Sequence, residues 1–240
     1  MITLGIDTTT LACSVALLQD DTLLAEATLN IKKTHSERLM PLLDNLLEES
    51  GIEREAIDAI AVAAGPGSFT GLRIGVSTAR ALAQGLGIPA VAVCTLDALA
   101  EAVPTPGVLI CPLLDARRSQ VYTALYRRIL EPPYELITLL KATAIALADL
   151  VSTIASYDEP VVFLGEGLNS YAAELEKSLP TGKAIFPPPP FRVCRASLVA
   201  LSGLRLLKSN SDASYREVLP IYLRQPEAER LANKENTLST

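Results

Sequence analysis

Three stretches of this 240-residue chain carry residue types at spacings suited to chemistry. In "GIDTTT", Asp7 closes an apolar run and Thr8, Thr9 and Thr10 follow it directly. A carboxylate with hydroxyls and free backbone N–H groups at a strand end suits a magnesium-bound nucleotide phosphate. The same stretch also suits a turn in which Asp7 caps local N–H groups. "LLDARRSQVY" supplies a second strand-end carboxylate, Asp115, but Ala116 and Arg117 stand where a phosphate-hugging turn favours glycine. "LGEGLNSY" places Gly165 and Gly167 between an apolar run and a helical one, a short motif compatible with nucleotide contact. Asp7, Thr8, Thr9, Asp115, Gly165 and Gly167 are therefore candidate contacts for ATP or ADP with magnesium, and nothing in them makes a cofactor obligatory.

Other chemistries are poorly served. The only histidine is His35, and Leu39 occupies the position four residues on, so no helical His pair exists to hold zinc or iron. A serine or cysteine triad would need His35 as its base, and Ser68 in "GPGSFTG" is not in a nucleophile elbow. Ser68 suits the cap of the helix that follows it.

"AAGPGSFTGLRIG", residues 63–75, raises a separate question. Its glycines fit neither a Walker A loop nor a dinucleotide fingerprint. Gly71, Gly75, Ala79 and Ala83 instead recur every four residues, a ladder of small side chains on one helix face. Such a face lets another backbone approach closely. Two readings follow: tight packing inside this chain, or a helix–helix contact with a second chain. The neighbouring segment 34–51 has an apolar stripe at Leu39, Leu42, Leu43, Leu46 and Leu47, with capping-box spacing at Thr34 and Glu37 and a terminating Gly51.

These residues need a frame to hold them. "ITLGID" (2–7), "CSVALLQ" (13–19) and "TLLAEATL" (22–29) read as an antiparallel meander with a turn at residues 20–21. A helix, the buried strand "IDAIAVAAG", a helix to about residue 85 and the strand "PAVAV" (89–93) complete a β-β-β-α-β-α-β order. After a linker at "VPTPG", strands near 108–114, 119–127 and 134–138 precede a helix at 143–155. A strand at 161–165, a helix at 168–179 and a strand near 183–186 complete the second block. "FPPPPF" marks a crossing between lobes, and 196–207 reads as an amphipathic helix. This predicts an N-terminal lobe over 1–104 that is rejoined by 195–224. A second lobe spans 105–194, and the polar stretch 225–240 is expected to be frayed.

Composition narrows the class. Hydrophobic residues make up 49% and charged residues 20%, as in a soluble globular protein. No signal-peptide core follows Met1, no membrane-length apolar run occurs, and Cys13, Cys94, Cys111 and Cys194 are scattered, so a cytoplasmic protein with reduced thiols is expected. Net charge is −6, all of it in residues 1–100, which hold 6 Lys/Arg against 12 Asp/Glu. That makes direct nucleic-acid binding an unfavourable reading and suits an acidic surface meeting a basic partner.

"LGIDTTT", "GPGSFTGLRIG", "LLDARRSQVY" and "PIYLR", in that order, resemble the TsaB (YeaZ) family over nearly the whole chain. The resemblance implies an α/β fold of two ribonuclease-H-like lobes with mixed sheets, as in the actin, sugar kinase and Hsp70 superfamily. It implies a non-catalytic subunit that dimerises with the paralogue TsaD and works with the ATPase TsaE. That assembly transfers a threonylcarbamoyl group to N6 of a tRNA adenosine, with tRNA touched only indirectly by this subunit. It also implies possible homodimers, no membrane, and a partner interface at or near Leu39, Leu43, Leu46, Leu47, Gly71, Gly75 and Ala79. The catalytic paralogue's His-x-x-x-His metal pair is absent here, where His35 is followed by Leu39. The alternative within the same fold is an ATPase or small-molecule kinase using Asp7 and Asp115.

Overall fold

The computed structural model describes residues 1–129, 135–209 and 212–224. Strands β1 (Ile2–Asp7), β2 (Cys13–Gln19) and β3 (Thr22–Leu29) form the expected meander, with Asp20 at φ +53° in the tight turn. Helix α1 (His35–Ser50) begins at Thr34 and ends on left-handed Gly51. The expected capping box does not form: Thr34 makes no side-chain cap, and Glu37 N–H bonds the Thr34 carbonyl at 3.3 Å. Strand β4 (Ala59–Gly65) is buried along its whole length and pairs parallel to β1, which is why it reads as an unbroken apolar run. Helix α2 (Phe69–Leu86) starts where Ser68 Oγ accepts the Gly71 N–H at 3.3 Å, and β5 (Ala90–Cys94) pairs parallel to β4. A short helix α3 (Thr95–Ala100), not expected from the sequence, leads to the second lobe.

That lobe contains β6 (Leu109–Asp115), β7 (Gln120–Arg128), β8 (Leu136–Ala146), α4 (Leu147–Ala155), β9 (Val161–Leu164), α5 (Leu168–Ser178) and β10 (Ala184–Ile185). The helix expected from residue 143 starts at Leu147. Thr143 and Ile145 pair with Thr123 and Val121 of β7, and β-branched residues favour that extension of β8. After a 3-10 turn at Pro189–Phe191, helix α6 (Ala196–Ser209) returns to the first sheet. A Cβ on Gly203 would collide with Ala61 and one on Gly5 with the Ala196 carbonyl, so α6 lies directly on β4 and β1.

The first sheet has the order β3-β2-β1-β4-β5, and the second, β8-β7-β6-β9-β10, repeats it. In each, the first three strands are antiparallel, and the fourth joins parallel beside the first. One buried cluster takes side chains from both sheets, including Ala61 and Val93 of the first, Ile110 and Tyr126 of the second, and Leu96 and Leu99 between them.

Candidate functional site

The ends of β1 and β6 face each other across a cleft of about 610 Å³, lined in part by Thr10, His35, Phe69, Asp115, Arg117 and Glu166. The two sequence-predicted carboxylate turns and the glycine turn after β9 therefore meet around one space. Asp7 and the N–H groups of Gly165 and Gly167, however, are turned into the protein.

Asp7 is fully buried. Its Oδ1 accepts the Thr9 N–H at 2.8 Å and the Thr9 hydroxyl at 2.7 Å. Oδ2 has no partner in hydrogen-bond geometry, with the buried Cys194 thiol beside it. Burial pushes the Asp7 carboxyl above its ordinary 3.8, and the two Thr9 bonds pull it part of the way back. Burial next to Asp7 likewise raises the Cys194 thiol. The Thr8 hydroxyl donates to the Gly71 carbonyl at 2.7 Å, and the Thr9 carbonyl accepts the Ser68 N–H at 2.7 Å.

The second lobe's turns also bond within the chain, although Asp115 stays partly exposed at the cleft. Asp115 Oδ1 accepts the Arg117 N–H at 2.7 Å and the Tyr171 hydroxyl at 3.3 Å, and Oδ2 faces the Arg117 guanidinium at 3.5 Å. Arg117, Arg118 and Ser119 all sit in the left-handed region, at φ of 63°, 55° and 59°. Gly165, at φ +95°, donates its N–H to the Arg192 carbonyl at 2.9 Å, and Gly167 donates to Leu113 at 3.0 Å. A Cβ on either glycine would collide with the Leu113 carbonyl, so packing against β6 accounts for both. Nucleotide phosphates are held by backbone N–H groups and ordered cations. The N–H groups of Thr9, Gly165 and Gly167 are already bonded within the chain and are not free for a phosphate.

His35 also has a structural setting. Its Nε2 bonds the Thr10 carbonyl at 2.8 Å, and Nδ1 lies 3.4 Å from the Arg38 guanidinium. The geometry assigns the proton to Nε2 and the lone pair to Nδ1. Burial lowers the His35 pKa from 6.5, and the nearby Arg38 charge lowers it further. Among the described residues, no cluster of three or more His, Cys, Asp or Glu side chains could hold a metal ion.

The residues expected to meet a partner require a correction. Leu39, Leu43, Leu46, Leu47 and Ala79 lie in the first lobe's own core. Gly71 and Gly75 admit the Thr8 carbonyl and hydroxyl, respectively, where a Cβ would otherwise stand. The small-residue ladder thus serves close packing of α2 on the end of β1. The outward faces of the two helices carry Met40, Asp44, Glu48, Phe69 and Arg73 instead.

Two features escaped the sequence reading. Arg38 is buried and donates to the carbonyls of Leu11, Leu29, Lys33 and Thr34, bracing the loop before α1. Its sole sequence signal is its place beside the apolar stripe. The "PIYLR" segment closes over both lobes: Ile221 N–H bonds the Ala64 carbonyl at 2.7 Å and Arg224 reaches the Ala116 carbonyl at 2.7 Å. Between them, Tyr222 accepts from Arg73 Nε at 3.1 Å and stacks on Phe69 at 5.5 Å.

A five-stranded sheet that occurs twice, with a cleft between the copies, defines the class: a two-lobed α/β protein with mixed sheets. Residues 22–231 match the family model for TsaD, tRNA N6-adenosine threonylcarbamoyltransferase. The tRNA threonylcarbamoyladenosine biosynthesis protein TsaB of Bacillus subtilis is 37% identical over 232 residues, 95% of this chain and 96% of that protein. The Escherichia coli TsaB is 40% identical over 127 residues, 52% of this chain and 54% of its own. A Pseudomonas aeruginosa structure described as similar to peptidase YeaZ superposes with a TM-score of 0.75 at 30% identity, covering 93% of this chain and 99% of its own. The chain belongs to the TsaB (YeaZ) family.

Proposed function

We propose that this chain is a non-catalytic subunit of the tRNA threonylcarbamoyladenosine machinery that binds and activates a TsaD-like catalytic paralogue, with a TsaE-like ATPase completing the assembly. The observation that carries the non-catalytic part is the inward commitment of the cleft: Asp7 is sealed, and the glycine N–H groups bond Arg192 and Leu113. The family relationship carries the pathway. Activation would proceed by population shift, docking being stronger on the paralogue's competent conformation than on its other states. The outward faces of α1 and α2 supply the docking surface, with Glu37, Asp44, Glu48 and Glu49 exposed on α1 for a basic partner. tRNA is met through the partner, and no nucleotide is required by this chain.

The test is tRNA modification by the reconstituted assembly with Asp7→Asn in this chain. Unchanged modification, with no ATP turnover by the isolated chain, supports the subunit reading. Turnover by the isolated chain that Asp7→Asn abolishes would establish the kinase or ATPase alternative. Met40→Glu and Phe69→Glu, made on the exposed faces, should reduce capture of the paralogue, and retention of full capture would move the docking surface elsewhere.

A further inference from the structure

Beside the cleft between β1 and β6 lies a second, more enclosed cavity of about 150 Å³, and Thr10, Glu166 and Asn169 line both. An apolar cavity of that size takes a ligand such as benzene. This one is not apolar. Glu166 and Arg192 both contribute to its wall, with the carboxamides of Asn30 and Asn169 and the apolar side chains of Leu99 and Leu114. No third charged side chain among the described residues lines it. Opposite charges sharing so small a space attract strongly. Yet among the described residues no ion pair joins Glu166 to Arg192, or either of them to another side chain.

Both side chains are held in place. Glu166 lies between Gly165 and Gly167, which are pressed against the Leu113 carbonyl, and its carboxylate accepts from the Leu11 N–H of the other lobe. The Arg192 carbonyl accepts the Gly165 N–H at 2.9 Å, and Arg192 Nε donates to the Pro187 carbonyl at 2.5 Å. That anchoring leaves the fork of the guanidinium for a carboxylate. Burial lifts the Glu166 carboxyl above its ordinary 4.5; the Leu11 N–H opposes this, and the Asp7 and Asp115 charges add to it. A docked ammonium would relieve that repulsion. A ligand with one sign of charge satisfies one of the two side chains and opposes the other, whereas a zwitterion satisfies both. With no further charge on the wall, the rest of such a ligand must be neutral. We infer that this cavity binds a small α-amino acid with an uncharged side chain, its carboxylate on Arg192 and its ammonium on Glu166. The cavity is separate from the outward faces of α1 and α2, so the inference stands independently of the proposed docking to a paralogue.

Ligand-observed NMR on the full chain tests it, with L-alanine, L-valine, L-threonine and L-asparagine as probes and circular dichroism confirming that each variant is folded. At least one probe should bind saturably, and its deaminated acid and its decarboxylated amine should each bind about tenfold or more weakly. Glu166→Gln and Arg192→Gln should each weaken binding by a similar factor, and Arg192→Lys should recover part of the loss. Where a variant fails to fold, the acid and amine analogues decide alone. No binding of any probe at about 10 mM overturns the inference. So does binding in which either analogue matches its parent amino acid, or binding indifferent to both folded variants. Adenosine or ADP displacing the amino acid, or binding in its place, would assign the cavity to a nucleotide and also overturn it. Failure of paralogue capture would count against the proposed function and leave the amino-acid result to be read by itself.

Discussion

His35 is placed to make the first lobe sensitive to acid. It donates from Nε2 to Thr10 and receives Arg38 at Nδ1, so a second proton would face a guanidinium. Its folded pKa lies below the ordinary 6.5, so the unfolded chain binds the proton more readily. This residue's contribution to stability is therefore complete above about pH 6.5 and is lost as pH falls through the folded value. Denaturant midpoints measured from pH 7.5 to 5 should fall less steeply for His35→Gln than for the parent; parallel slopes would show that the ring does not titrate this way. Asp7 has the opposite sign. Its raised pKa means that stability falls as pH rises from 3.8 through the folded value. The carboxylate, the hydroxyls and the candidate glycines were all legible in the sequence as a constellation. Which way their donors point was not, because that depends on Leu113, Ser68 and Arg192, remote in sequence from Asp7.

At the scale of elements, α2 shows how a motif can be recognised and its contact misassigned. Period-four glycine and alanine reveal a face that something approaches closely, and the sequence alone cannot distinguish Thr8 of the same chain from a helix of another. Gly71→Ala would drive a methyl into the Thr8 carbonyl, at a cost of about 3 kcal/mol. Gly85, on the same helix, has nothing within 4 Å of its Cβ position. Gly85→Ala should therefore stabilise the protein by about 0.5–1 kcal/mol through helix propensity. Thermal melts of the pair should move in opposite directions; a common direction would refute close packing as the reason for the ladder. The strands of the first lobe were legible almost residue by residue because period-two and continuous apolar patterns dominate there. α3 was missed because six residues are too few for a helical period to emerge, and β8 ran on because its pairing with β7 outweighed local pattern.

For the whole molecule, the interlobe cluster makes two lobes into one unfolding unit. Glu101, buried at the end of α3, pairs with Arg128 of β7 at 3.2 Å and with Arg205 of α6. Glu101→Ala leaves the buried Arg128 without that carboxylate and should cost about 3–5 kcal/mol. Unfolding of the parent should be a single transition by circular dichroism and by calorimetry, and two separated transitions would contradict a shared core. Two similar lobes could be read from the repeated sheet-then-helix order. Their fusion could not, since Tyr126 and Val93 meet only after both sheets exist.

The return of α6 and the "PIYLR" segment has a consequence for synthesis. Ser14 takes its bond from Ala196, Glu26 from Ser197, and Ala64 from Ile221. The second lobe's strands, Leu109 to Ile185, are all translated before any of those three late residues appears. A growing chain can therefore close its second lobe while the first, though translated earlier, still has one face of its sheet uncovered. The lobe that leaves the ribosome first is the last to be finished, and until then its apolar face is the part of the nascent chain most in need of protection.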